Sequence, residues 1–328
     1  MSYKLDLKDK KLLYELDLNS RQSLSELGRK VGLSKNSVNY RISNLRKEGI
    51  IKRFHSVIDT GKLGYIGFRL YLNLQNTTPE KEAEIIDFLV GKEIVTWVAS
   101  IEGNYDVGAL ILTKSIKRVN ELWKELLAKY TNYIDKKLLT IMTRVSYFSR
   151  AYLLNLKSNI YECVPISEPE EEGSRNELDK TDKEILKILA PNSRTPIVDI
   201  AAKIGISAKT VISRIKNLEE SKIIIGYKTV FDLEKIGYQY YKLHFKLQNV
   251  NREEDSKLRA YVKSHPNIIY DDEVLGGDNI EIEVQVKDAS ELRELIGDIK
   301  EKFGKRIRDY EIMHFLREYK YLFLPVKI

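Results

Sequence analysis

An internal repeat without a single gap constrains this chain more than any other feature. Shifted by 173 residues, Asn19-Ser20-Arg21 falls on Asn192-Ser193-Arg194, and Leu74-Gln75-Asn76 falls on Leu247-Gln248-Asn249. Between these anchors Val31-Gly32-Leu33-Ser34 meets Ile204-Gly205-Ile206-Ser207, Asn44-Leu45 meets Asn217-Leu218, Asp59 meets Asp232, and Gly64-Tyr65 meets Gly237-Tyr238. From Leu5 to Asn76, 28 of 72 positions are identical, where chance would give a handful. The chain is a tandem duplication. Any function proposed for one copy must make sense with a second covalently attached.

Its 328 residues leave room for two units of about 150 residues, each able to bury a core. A hydrophobic fraction of 43% with 31% charge is ordinary for a soluble globular protein. No apolar run approaches the roughly 18–20 residues that span a bilayer. Met1-Ser2-Tyr3-Lys4-Leu5-Asp6 has no apolar stretch behind a basic start, so no secretory signal is expected. Cys163 is the sole cysteine, which excludes an internal disulfide framework and a cysteine-rich metal site. A cytoplasmic protein without a membrane partner is the expectation. Abundant Lys, Glu and Ile point weakly to a heat-adapted source.

The net charge of +7 is unevenly spread. Residues 1–60 carry 13 Lys/Arg against 7 Asp/Glu, a net of +6; residues 174–233 carry 11 against 8, a net of +3. Thus +9 lies in the two leading segments and −2 in the remainder, which points to a polyanion partner.

Patterning narrows that partner. Leu12, Leu13 and Leu16 follow Asp9 at helical spacing. A second helix starts near Ser23 with Leu24, Leu27 and Val31 inward, and Gly32 ends it as a left-handed residue would. Ser34 caps a third helix that places Val38, Ile42 and Leu45 on one face and ends at Gly49. Ile50–Ile58 then reads as a strand pair. Three short helices with a Gly turn before the third, followed by a hairpin, predict a winged helix-turn-helix. The third helix turns Ser34, Lys35, Asn36, Ser37, Asn39, Tyr40, Arg41 and Asn44 outward, and no carboxylate occurs from Ser34 to Arg46. Amides, hydroxyls and cations suit base edges and phosphates, so the expected partner is double-stranded DNA. The second copy offers Lys209, Thr210, Ser213, Arg214, Lys216 and Asn217 but ends in Glu219-Glu220, which makes it the weaker reader.

After each helix-turn-helix the period changes. Ile66–Leu74 alternates as a strand, residues 80–91 form a helix, Ile94–Ile101 and Val107–Leu112 are strands, 116–130 is a helix, and Lys137–Leu154 is a long final strand. The second copy repeats this through Tyr241–Leu247, Lys257–Ser264, Ile268–Leu275, Ile280–Val286, Leu292–Phe303 and Ile307–Leu324. The order βαββαβ is a ferredoxin-like sheet with both helices on one face. The fold class expected is α+β, a winged helix-turn-helix plus a ferredoxin-like domain, twice. Tyr71, Trp97, Tyr147 and Phe148 lie along the strands, so the uncovered face is expected to be an interface. The expected divisions are 1–60 and 176–233 for the helix-turn-helix units, 61–156 and 234–328 for the sheets, and 157–175 for a solvated linker with Pro165, Pro169, the acidic run Glu168–Glu172 and Gly173-Ser174.

Leu5-Asp6 with Asp9, Asn19-Ser20-Arg21, Gly32-Leu33-Ser34, Val38 with Arg41-Ile42 and Leu45, Gly49-Ile50-Ile51 and Leu63-Gly64 together resemble the leucine-responsive (Lrp/AsnC) transcription regulators. The resemblance covers almost the whole chain twice. It implies that Ser34–Asn44 is a recognition helix, that the sheets pair into dimers, and that an effector, typically an amino acid, binds near Gly103-Asn104-Tyr105-Asp106. The implied effector residues are Gly103, Asn104 and Asp106, with Gly276 and Asn279 in the second copy. There the turn reads Gly276-Gly277-Asp278-Asn279, so the acidic position has become an amide. Family members usually carry one copy, whereas this chain carries two, which suggests a covalent pseudo-dimer and leaves room for higher homo-oligomers.

A rival is an enzyme resembling the siroheme decarboxylases, which share the two-part architecture. That resemblance would imply a Tyr-Arg-rich segment and a Trp-Pro-Tyr-Asn stretch, but the corresponding strand reads Thr96-Trp97-Val98-Ala99-Ser100-Ile101. His55, His244, His265 and His314 do not occupy equivalent positions, and no P-loop or metal-spaced His/Glu motif occurs. No catalytic residue, cofactor or metal is expected. A third alternative is an effector-sensing assembly protein that no longer binds DNA.

Overall fold

Three short helices open each copy. In the computed structural model, which describes residues 4–167, 178–248, 251–322 and 324, the Asp6, Ser23 and Ser34 side chains accept the first free backbone N–H groups of α1 (Leu7–Leu18), α2 (Leu24–Val31) and α3 (Lys35–Lys47). Gly32 between α2 and α3 has φ +68°, the left-handed geometry that favours glycine there. Leu12, Leu16, Leu27, Val31, Val38, Ile42 and Leu45 share one core. In the second copy α6 (Lys180–Leu189), α7 (Ile197–Ile204) and α8 (Ala208–Glu220) enclose Ile185, Leu189, Ile200, Val211, Ile215 and Leu218, and Gly205 takes φ +79° at the matching turn.

The chain after α3 departs from expectation. Ile50–Ile58 forms no hairpin but one strand, β1 (Ile51–Ile58), paired antiparallel with its counterpart β7 (Ile224–Phe231). The stretch contains no two-residue turn signal, so it cannot fold back on itself. Its counterpart supplies the missing ladder, with His55 opposite Lys228. The two wings therefore form one shared ribbon.

The first ferredoxin-like unit comprises β2 (Ile66–Leu74), α4 (Pro79–Val90), β3 (Val95–Gly103), β4 (Val107–Thr113), α5 (Ile116–Tyr130) and β5 (Ile134–Phe148). The expected long last strand stops at Phe148; Ser149 and Arg150 turn the chain, and Ala151–Leu154 is a 3-10 turn. Part of the expected linker is also ordered, since Glu162–Ile166 forms β6 against β5. The acidic run Glu168–Glu172 lies outside the described residues. The second unit comprises β8 (Gln239–Leu247), α9 (Arg252–Ser264), β9 (Ile268–Leu275), β10 (Ile280–Val286), α10 (Ala289–Phe303) and β11 (Ile307–Tyr321). The 173-residue shift that aligns the helix-turn-helix sequences also carries β4 onto β10, α5 onto α10 and β5 onto β11, where identity is no longer obvious.

Each sheet alone would have two bare edges. Here β3 pairs with β11, β5 pairs with β9, and the strands run β2-β4-β3-β11-β8-β10-β9-β5 before β5 returns to β2. The ring is a closed eight-stranded antiparallel barrel with no bare edge within it. At one seam Gly103 lies so close to β11 that a Cβ would come within 2.5 Å of the Ile312 carbonyl oxygen. At the other, Tyr147 stacks on Tyr270 at 4.6 Å between ring centroids. Tyr71, Trp97 and Tyr147 are buried by this closure, whereas Phe148, the next residue on β5 and so on the opposite face, packs into the second unit's outer core; α4, α5, α9 and α10 lie outside over two aliphatic cores.

The helix-turn-helix units are joined by the residues that reveal the repeat. The Ser20 and Ser193 hydroxyls meet at 2.7 Å. Arg21 donates to the Ser193 and Thr195 carbonyls and lies over Tyr227; Arg194 donates to the Ser20 and Gln22 carbonyls and lies over Phe54. These contacts are reciprocal at equivalent positions, which defines a pseudo-twofold axis through Ser20 and Ser193.

Below them, Asp17 on α1 is fully buried. Its carboxylate accepts from the Tyr147 hydroxyl (3.0 Å), the Arg150 backbone N–H (2.9 Å) and the Arg150 guanidinium, with the Lys228 ammonium 3.9 Å away. Burial alone would push this carboxyl up, but the Lys228 and Arg150 charges outweigh it and hold it below its ordinary 3.8. Its contribution is therefore complete above that value and is lost as the pH falls below it. Asp17→Ala strands two buried cations and should cost roughly 3–5 kcal/mol, seen as a fall of about 10 °C in melting temperature. Thermal denaturation followed by circular dichroism checks this.

Candidate nucleic-acid interface

The face of α3 turned away from Val38, Ile42 and Leu45 carries Lys35, Asn36, Ser37, Asn39 and Tyr40, all exposed, Tyr40 to 72%. Ser34 caps the helix through Ser37 N (3.1 Å), and its hydroxyl also meets that of Ser37 at 2.9 Å. Asn44 is half-buried further along the helix. On α8, Lys209, Thr210, Ser213 and Asn217 are exposed, and Ile212, 57% exposed, stands where α3 has Asn39. The outward sets named from sequence are thus brought together on one face of each helix, with one exception in each.

That exception is Arg41 and its counterpart Arg214. Arg41 bonds Asp6 at 2.8 Å and Asp9 at 2.7 Å; Arg214 bonds Asp179 at 2.7 Å and Asp182 at 3.3 Å. Both guanidiniums clamp the third helix of their unit to the start of its first. The sequence held this signal unread, because Asp6, Asp9 and Arg41 recur unchanged as Asp179, Asp182 and Arg214. The Asn-Ser-Arg anchors were likewise visible as identities, but their role in joining the units was not.

The expected effector turn is also partly committed. The Asp106 carboxylate accepts from Leu74 N at 2.6 Å and Asn73 Nδ2 at 3.1 Å, while Asn104 is exposed. In the second copy Asn279 Oδ1 accepts from Leu247 N at 2.8 Å. Only an acceptor is required, which is why Asp and Asn can exchange there. Gly103 and Gly276 take φ +139° and +83° and shape the two turns.

A cavity of about 170 Å³ lies elsewhere, between the shared ribbon and the barrel. His55, Thr229 and Phe231 of the ribbon line it together with Arg69, Trp97, Tyr147, Arg150, Tyr240, Tyr270 and Glu283. Burial pushes the His55 imidazole down to about 3, so it is neutral at physiological pH. The sequence could not place this cavity, because neither copy encloses it alone.

With this geometry in place, comparisons with known proteins decide the family. The AsnC-type helix-turn-helix pattern matches residues 178–219, and a winged helix-turn-helix DNA-binding pattern matches residues 5–52. The HTH-type transcriptional regulator FL11 of Pyrococcus horikoshii is 30% identical over 125 residues, 37% of this chain and 82% of that protein. The HTH-type transcriptional regulator Ptr1 of Methanocaldococcus jannaschii is 30% identical over 126 residues, 37% of this chain and 80% of that protein. The chain belongs to the Lrp/AsnC family. Its helix-turn-helix units are DNA-binding domains, and it is a DNA-binding transcription regulator. Its relatives are mostly regulators as well. Across its full length the fold resembles that of the siroheme decarboxylase NirDL, with a TM-score of 0.64 at 13% identity over 98% of this chain and 94% of that one. At that identity the likeness is one of fold alone. Among the described residues no helix is long and apolar enough to cross a membrane.

Lys35→Ala/Asn39→Ala in this Lrp/AsnC chain should lower the salt slope of DNA binding by about one unit and leave the melting temperature unchanged. Arg41→Ala should instead lower stability by about 1–2 kcal/mol, because it leaves Asp6 and Asp9 facing each other without their shared cation. Salt-dependent gel shifts alongside thermal melts distinguish the two.

Proposed function

We propose that this chain is a sequence-specific regulator whose two unlike readers act together on one asymmetric DNA site, as a covalent pseudo-dimer. The supporting observation is the reciprocal Ser20/Ser193 and Arg21/Arg194 contact, which fixes α3 and α8 about one pseudo-twofold axis within a single chain. Reader one offers Lys35, Asn36, Ser37, Asn39 and Tyr40; reader two offers Lys209, Thr210, Ile212, Ser213 and Asn217. Amides at Asn36 and Asn39 suit adenine edges, whereas Ile212 suits a thymine methyl, so the half-sites must differ. The second reader is the weaker, since Glu219 and Glu220 close its helix where Arg46 and Lys47 close the first.

Modulation by a small molecule such as an amino acid belongs to the same proposal. The cavity beneath the ribbon supports it, whereas the Asp106 carboxylate of the Gly103–Asp106 turn is held by Leu74 N and Asn73. The cavity is comparable to the ~150 Å³ void that admits a benzene-sized ligand. It touches both the readers' ribbon and the barrel, so occupancy there would bear on the geometry of the readers.

Selection of binding sequences from a random pool tests the proposal. The expected product is a non-palindromic site with two unlike half-sites set whole helical turns apart, roughly 34–36 Å. Recovery of a strict palindrome would mean that identical readers from two chains meet on DNA.

A further inference from the structure

We infer that the mouth of the barrel is a binding site for one divalent transition-metal ion, held by His244, Asp278 and Glu311. His244 lies on β8 directly opposite Glu281 on β10 and Glu311 on β11, so the three side chains project on one side of the sheet. Asp278 reaches the same point from the β9–β10 turn. One ligand atom from each of His244, Asp278 and Glu311 can be chosen so that all three lie within 4.8 Å of one another.

The decisive side chain is His244. It is fully buried, and each of its two ring nitrogens faces a carboxylate oxygen. Its Nδ1 is 3.4 Å from Asp278 Oδ2, the separation of two ligand atoms placed about 2.1 Å from a shared tetrahedral ion. Its Nε2 is 3.3 Å from Glu281 Oε2, an oxygen that the buried Lys242 ammonium also approaches at 3.2 Å. A carboxylate behind the far nitrogen of a ligating imidazole fixes its tautomer and strengthens it as a donor. Glu281 is therefore the positioning residue of the site. Asp278 and Glu311 are partly exposed and leave a way in from solvent. Lys246 bonds Glu311 at 3.1 Å and would be displaced by the ion.

The first copy shows what this position is without a site. The counterparts of His244, Asp278, Glu281 and Glu311 are Tyr71, Tyr105, Gly108 and Leu138, and Tyr71 packs on Tyr105 at 5.3 Å between ring centroids. All four positions differ in kind, and the second copy carries a donor at each. A mixed nitrogen and oxygen set with one imidazole suits Zn²⁺ or Co²⁺ over Mg²⁺ or Ca²⁺, which take all-oxygen shells. Such an ion would tie the β9–β10 turn to β8 and β11.

The test uses the full chain, stripped with a chelator and dialysed, then titrated with Co²⁺ followed by visible absorbance and with Zn²⁺ by calorimetry. The expected result is one ion per chain with d–d bands, and a melting temperature that rises with metal concentration. Glu311→Gln and Asp278→Asn, both at the solvent side, should each weaken binding at least tenfold with the fold intact, and His244→Gln should abolish it. His265→Asn and His314→Gln should bind as the parent does. Failure of the parent to bind a stoichiometric ion, or binding that Glu311→Gln and Asp278→Asn leave unchanged, overturns the assignment.

Discussion

Edge pairing is the constraint on which the rest of this molecule depends. A four-stranded ferredoxin-like sheet has two bare edges and one face that its helices leave uncovered, and unpaired edges carry a cost. The β3–β11 and β5–β9 ladders satisfy all four edges at once and roll the two faces into a barrel. Closure in turn buries Tyr71, Trp97 and Tyr147, and it sets the end of β5 where Arg150 meets Asp17. Through that ion pair the barrel holds α1, and through Ser20 and Arg21 the first helix-turn-helix holds the second.

Duplication inside one chain changes what the two halves are free to become. In an assembly of identical chains every substitution appears on both sides of the axis. Here the copies diverge independently, and the differences fall where each half has its own task. Asp17 is buried and charged, while its counterpart is Ala190; the barrel mouth is aromatic in the first copy and rich in donors in the second. The readers diverge in the same way, with Asn39-Tyr40 against Ile212-Ser213.

Local structure was legible because its causes are local. Ser34 before a polar-faced helix, Gly32 and Gly205 at left-handed turns, and apolar residues at helical spacing all have the roles their chemistry implies. The fold class followed from the βαββαβ order. The failures have non-local causes. Ile50–Ile58 carries strand propensity but not the identity of its partner, which lies 173 residues away, so a hairpin was expected where a shared ribbon forms. Arg41 has the chemistry of a phosphate ligand and the location of a strut, and only the approach of Asp6 and Asp9 decides between them. Asp106 looks like a ligand carboxylate until Leu74 N is placed beside it. The cavity and the His244 cluster depend on elements brought together by closure, and no spacing in the sequence encodes either.

The central claim is that one chain, by itself, brings its two halves together. An engineered disulfide between Ser20→Cys and Ser193→Cys measures this directly, in a chain whose own Cys163 is replaced by alanine. The two hydroxyls are 2.7 Å apart across the axis. Oxidation should give a single chain of unchanged mass with altered mobility on a non-reducing gel, at every protein concentration. A product of twice the chain mass, growing with concentration, would show that the halves pair between chains and would contradict the account.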